Sequence, residues 1–193
     1  MQIITLRCST ELAFGPYGGA ELFFADIDGD GQCEILAYQG PAVFGAGMYR
    51  AWAAVAATFP QSVCLSAFKR DGRRLWTYGQ PNPADRPYIC HAHESCVAVG
   101  DVNGDGAAEV ALADGNRIVL LEGHTGAVRA ERRMSEDNFY IVQALGREVA
   151  RGEAALVVKN GEGGSSPWRY GEPVVGLDKD LATVWGPEGV PLM

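Results

Sequence analysis

Asp26-Ile27-Asp28-Gly29-Asp30-Gly31-Gln32-Cys33-Glu34 and Asp101-Val102-Asn103-Gly104-Asp105-Gly106-Ala107-Ala108-Glu109 decide how this chain is read. Each places oxygen-bearing side chains at positions 1, 3, 5 and 9 of a loop, with glycine at 4 and 6. The glycines tolerate backbone angles that other residues resist, so alternate side chains can turn inward. Each loop is preceded by a short apolar run and followed by another, the pattern of two strands joined by a tight connection.

Hard oxygen donors at alternate positions suit calcium, which takes six to eight such ligands in a flexible shell. In the first loop Asp26, Asp28 and Asp30 offer side-chain oxygens, Gln32 its backbone carbonyl and Glu34 a closing carboxylate. In the second the same roles fall to Asp101, Asn103, Asp105, the Ala107 carbonyl and Glu109. The expectation is therefore about two calcium ions, one per loop. Magnesium is less favoured because it resists crowded all-protein cages. The loops lack the glutamate at position 12 and the flanking helices of an EF-hand. The alternative is an acidic, glycine-rich turn held by side-chain-to-backbone bonds.

Outward from the loops a repeat of about forty-five residues emerges, once stretched. In the first unit, strands are expected at Leu22–Ala25, Ile35–Tyr38, Val63–Phe68 and Leu75–Tyr78. The second repeats them at Cys96–Val99, Val110–Ala113, Arg117–Leu121 and Val128–Arg132, and the third at Tyr140–Ala144, Ala155–Lys159, Val174–Leu177 and Thr183–Trp185. The alignment sets Val97–Asp101 against Gln143–Arg147 and puts Arg147, Val149, Arg151 and Ala155 at the third copy's ligand positions. That copy cannot hold a cation, though a guanidinium there can bond turn carbonyls.

Four short antiparallel strands per unit, repeated, make β-propeller blades, so the fold class is all-β with about three blades. Blade 1 spans about 21–80 with an insertion at 40–62, blade 2 about 92–134 and blade 3 about 138–187, within a single domain over 1–193. Closed propellers normally need four or more blades, so a partial or oligomer-completed propeller is expected. Inside the insertion, Gly45–Phe59 is rich in helix formers. Tyr49, Trp52, Val55 and Phe59 recur at helical spacing, giving one apolar face. It reads as a helix lidding the blade, or as an excursion that meets a partner or ligand.

Composition sets the outer bounds. The chain of 193 residues suffices for one good core, and 47% apolar with 21% charged residues fits a globular protein. The formal charge of −8 is concentrated in the two loops, and two calcium ions would neutralise half of it. No basic stripe exists to meet phosphates, which excludes nucleic acid as a partner. The five cysteines, Cys8, Cys33, Cys64, Cys90 and Cys96, form no staple pattern. No segment is long and apolar enough for a signal peptide or a membrane span. The expected location is extracellular or periplasmic if the chain derives from a longer exported protein, with the cytoplasm the alternative.

These features resemble the FG-GAP (or VCBS) repeats of integrin-alpha-like propellers, over most of the chain. That likeness is specific for the module and unspecific for function. Ala113–Gly126, Ala67–Trp76 and Asp137-Asn138-Phe139 are similar to blades of family 11 rhamnogalacturonan lyases and their uncharacterised relatives. In those enzymes a calcium-rich, eight-bladed propeller cleaves a pectin backbone by β-elimination, a fold longer than this chain. The resemblance implies a base for the C5 proton and a cation for the developing carboxylate charge. His91 and His93 are the weak candidates for the base, with a strand edge or bonded turn as the alternative.

Trp168 and Tyr170, following a glycine- and serine-rich excursion, are the expected exposed aromatic pair for a sugar or a protein. Trp76 and Trp185 end equivalent strands and are better explained by inter-blade packing. Three readings follow: a calcium-binding blade module that scaffolds or binds carbohydrate or protein, a rhamnogalacturonan-lyase-like polysaccharide lyase or a piece of one, and an assembly protein that self-associates into homo-oligomers.

Overall fold

The computed structural model describes residues 12–18, 21–39, 63–81, 96–114, 117–134, 140–144, 154–160 and 174–186. The insertion at 40–62 with its expected helix, the histidines at 91 and 93, positions 147, 149 and 151 of the third loop, and the aromatic residues at 168 and 170 lie outside them.

Among the described residues, twelve strands form three four-stranded antiparallel sheets. In the first sheet β1 (Glu21–Ala25), β2 (Glu34–Gln39), β3 (Cys64–Phe68) and β4 (Arg74–Gly79) lie in chain order. The second repeats that order with β5 (Val97–Gly100), β6 (Glu109–Asp114), β7 (Arg117–Glu122) and β8 (Val128–Arg133). The third does so with β9 (Tyr140–Ala144), β10 (Leu156–Asn160), β11 (Val174–Leu177) and β12 (Thr183–Trp185). The described residues are thus mostly β, in sheets of the size and order of blades.

The pairing registers superpose. Phe23–Leu36–Ala67–Trp76, Ala98–Ala111–Leu120–Ala130 and Gln143–Val157–Gly176–Trp185 are the same cross-strand row in the three sheets. The ladder also corrects one alignment. Val99 pairs with Val110 and Ala144 with Leu156, so Ala144, not residue 145, takes the place of Val99. The third connection is therefore one residue longer than the second, which the loss of a strict ligand spacing permits.

β2 and β6 are buried along their whole length. Both faces of these inner strands are covered, so the polar alternation of a half-exposed strand is absent. One core runs through all three sheets, from Leu36, Leu65 and Ala67 through Val110–Ala113 and Ile118–Leu121 to Leu156, Val158 and Leu177. A smaller cluster of Ile35, Ala37 and Phe68 lies on the far face of the first sheet. Leu12, Phe14 and Tyr17, around a short 3-10 turn at Gly15–Tyr17, cover it. The Arg74 guanidinium stacks 4.0 Å from the Tyr17 ring centre and closes that edge.

The first and second sheets are locked by Trp76. Its indole N–H donates to the Gly123 carbonyl at 2.7 Å, and the ring lies over Gly126. Gly126 has φ +69°, and a methyl carbon there would stand 2.5 Å from the ring. The Tyr78 hydroxyl donates to Asp114 Oδ2 at 3.1 Å beside it. Burial, and secondarily the Asp114 charge, push the Tyr78 phenol up to about 12. Trp185 holds the register position of Trp76 but is 45% exposed, lying against Gly176 of its own sheet. The packing expected between blades is thus present for Trp76, and for Trp185 the described contact is within the sheet.

Candidate metal centres

The two acidic loops connect β1 to β2 and β5 to β6, and their backbones repeat each other bond for bond. Asp26 accepts the amide hydrogens of Gly29 at 2.8 Å and Gly31 at 2.9 Å, one on each carboxylate oxygen. Asp101 accepts those of Gly104 at 2.7 Å and Gly106 at 2.9 Å. The four glycines have φ between +78° and +92°, the left-handed region that favours glycine. Positions 3 and 5 each accept the amide two residues on: Asp30 to Asp28 and Gln32 to Asp30 in the first loop, Asp105 to Asn103 and Ala107 to Asp105 in the second. The Asp30 carboxyl is held below its ordinary range by Lys69 and then by the Gln32 amide, the Asp105 carboxyl by the Ala107 amide and then by Asn103. Gln32 and Ala107 thus enter the loops through their amides.

The closing glutamates are the deepest members of both loops. Glu34 and Glu109 are fully buried. One oxygen of each accepts a loop amide: Ile27 to Glu34 at 3.0 Å and Val102 to Glu109 at 2.8 Å. The other faces a cation. Glu34 Oε1 meets Lys69 Nζ at 2.9 Å, and Glu109 Oε1 meets Arg129 Nη1 at 3.0 Å. Burial raises the Glu109 carboxyl above its ordinary range, against the Val102 amide and Arg129, which lower it. A buried carboxylate is tolerated only with such partners.

Asp26, Asp28 and Glu34 converge, with one carboxylate oxygen from each within 4.8 Å of the others. Three hard oxygens at that separation could hold a metal ion. Asp30 joins them through Lys69, whose ammonium lies 2.6 Å from Asp28, 2.8 Å from Asp30 and 2.9 Å from Glu34. In the second loop the carboxylates are tied differently. Asn103 donates its side-chain amide to Asp105 at 2.9 Å and to Glu109 at 2.6 Å, while its oxygen accepts the Asp105 amide.

Sequence spacing identified the loop positions but not Lys69 and Arg129. Lys69 directly follows β3 and Arg129 lies on β8, so each comes from the far side of its sheet rather than from its own loop. One signal was available: position 69, aligned across the repeats, is lysine where the other units have Glu122 and Asp178. The described cysteines add no centre: Cys33 is exposed, and Cys64 and Cys96 are buried. No described helix is long and apolar enough to cross a membrane.

No family model matches the chain and no curated protein matches it. Solved structures do. Rhamnogalacturonan lyase YesW is similar at TM-score 0.51 and 16% identity, over 87% of this chain and 34% of that enzyme. Exotype rhamnogalacturonan lyase YesX is similar at TM-score 0.51 and 16% identity, over 86% of this chain and 32% of the enzyme. A Bacillus licheniformis rhamnogalacturonan lyase gives TM-score 0.49 at 17% identity. At these identities the likeness to YesW and YesX is one of fold, and this chain spans about a third of their length.

Proposed function

We propose that the chain is a calcium-clipped run of FG-GAP/VCBS-type β-propeller blades, built on the lyase scaffold and serving a polysaccharide-directed protein. The observation that carries this reading is the pair of matching loops, each closed by a buried glutamate, on a fold shared with part of two rhamnogalacturonan lyases. Asp26, Asp28, Asp30 and Glu34, with the Gln32 carbonyl, would hold one ion. Asp101, Asn103, Asp105 and Glu109, with the Ala107 carbonyl, would hold the other. Bound calcium would supply charge neutralisation and a rigid link between the first and second strands of a sheet.

Among readings of what the scaffold serves, the fold likeness favours a rhamnogalacturonan-lyase-like role over assembly alone. Binding of an anionic pectic glycan is the part of that role this chain can carry with blades and cations. Turnover would need a base, for which His91 and His93 are the candidates from sequence. The test is retention on immobilised rhamnogalacturonan with calcium and with chelator, followed in parallel for the ultraviolet absorbance of an unsaturated uronate. Calcium-dependent retention supports the binding module, absorbance growth supports the lyase, and neither result at any calcium level removes the polysaccharide reading.

A further inference from the structure

Each sheet turns from its third strand to its fourth through one residue that opens the hairpin. In the first sheet it is Lys69, whose amide donates to Arg73 O at 2.9 Å and whose carbonyl accepts from Gly72 at 2.9 Å. Glu122 makes the same two bonds in the second sheet, to Ala127 O at 2.9 Å and from Gly126 at 2.7 Å. Asp178 makes them in the third, to Ala182 O at 2.9 Å and from Leu181 at 3.0 Å. The strand registers agree, since Phe68, Leu121 and Leu177 pair with Ile35, Val110 and Leu156. Positions 69, 122 and 178 are therefore one site in the repeat, cationic in the first unit and anionic in the others.

The lysine is fully engaged. Its ammonium has three N–H donors and three carboxylates around it, Asp28, Asp30 and Glu34, at 2.6, 2.8 and 2.9 Å. Its side chain is 18% exposed, and Glu34 is buried completely. These carboxylates are also ligands of the first loop in the reading above. A calcium ion would sit 2.3–2.6 Å from the same oxygens, so ammonium and metal exclude each other by distance and by charge. In the second loop, Arg129 meets Glu109 at 3.0 Å and Glu122 at 3.8 Å, and Glu122 is the residue at the lysine's register position. The cleft that Asp30, Glu34 and Lys69 line also holds Asp71, Arg70 and Arg73.

We propose that Lys69 is a resident cation of the first loop, an ammonium that neutralises its carboxylates and that calcium must displace to bind there. This rests on the calcium reading of the loops. It gives the two clips different duties: the first sheet stays tied when calcium is scarce, and the second responds to the ion.

Calorimetric calcium titration of the full chain tests it, with Asp101→Ala as background to isolate the first loop. Lys69→Met should raise that loop's affinity on the order of tenfold or more. It should also lower the unfolding temperature in chelator and lose that deficit when calcium is added. The reciprocal change, Glu122→Lys in the otherwise native chain, should weaken the second loop and keeps the idea testable if Lys69→Met folds poorly. Equal first-loop affinity with and without Lys69 overturns the proposal while calcium binding by both loops leaves the function reading standing. No calcium binding by the native chain or any variant removes both.

Discussion

The first and second loops share spacing, backbone bonds and buried closing glutamates, yet they neutralise their carboxylates by different routes. In the first, one ammonium bridges three carboxylates; in the second, Asn103 and Arg129 divide the work. The backbone template is therefore set by Asp26 or Asp101 and its paired glycines, while the cation is a separate choice made by residues from distant strands. A third unit with neither carboxylates nor the same loop length still pairs its strands in the same register. Strand packing, rather than the loop, fixes the sheet.

Removing each closing glutamate gives the largest test of this contrast. Glu109→Ala strips the partner from the Val102 amide, Asn103 and Arg129, and should cost about 3–5 kcal/mol in urea unfolding. Glu34→Ala leaves Lys69 on Asp28 and Asp30, so its loss should be smaller when both are measured in chelator. Equal losses would break the distinction between the loops. Trp76→Ala, which empties the lock between the first two sheets, should also cost about 3–5 kcal/mol, whereas the 45% exposed Trp185 should cost under about 1 kcal/mol.

Gly123→Ala probes whether the loops are coupled. A methyl carbon at Gly123 would stand 2.3 Å from the Ala108 carbonyl oxygen and 2.6 Å from that of Ile27, one from each loop. The expected loss is about 1–3 kcal/mol, with both loops' calcium affinities disturbed together. Disturbance of one loop alone would show that they are independent. Tyr78→Phe should cost about 1 kcal/mol by removing the bond to Asp114. Because the folded phenol is raised to about 12, its contribution is present below the unfolded value near 10 and is lost as pH rises through about 12. The native chain should lose stability over that alkaline window faster than Tyr78→Phe.

The strands were largely legible because glycine-bracketed loops and hairpin turns bound each apolar run. The ends moved by only a residue or so, as at Glu34 and Asp114, which are buried polar residues that an apolar count omits. The bonding pattern of each loop was legible because its spacing is local. Lys69 and Arg129 were not, since their approach to Glu34 and Glu109 depends on strand pairing across the sheet. The cover over Ile35, Ala37 and Phe68 was equally hidden, because Leu12, Phe14 and Tyr17 follow neither a helical nor a strand period. The third unit's extra residue escaped because, without ligand positions to anchor it, only the ladder reveals the register.

Thermal unfolding in chelator and then in millimolar calcium, with mass followed by light scattering, tests the central claim most directly. The account predicts a large calcium-dependent rise in Tm that disappears when Asp28 and Asn103 are both changed to alanine. An unchanged Tm at every calcium level would contradict it and leave two acidic turns on a plain β repeat.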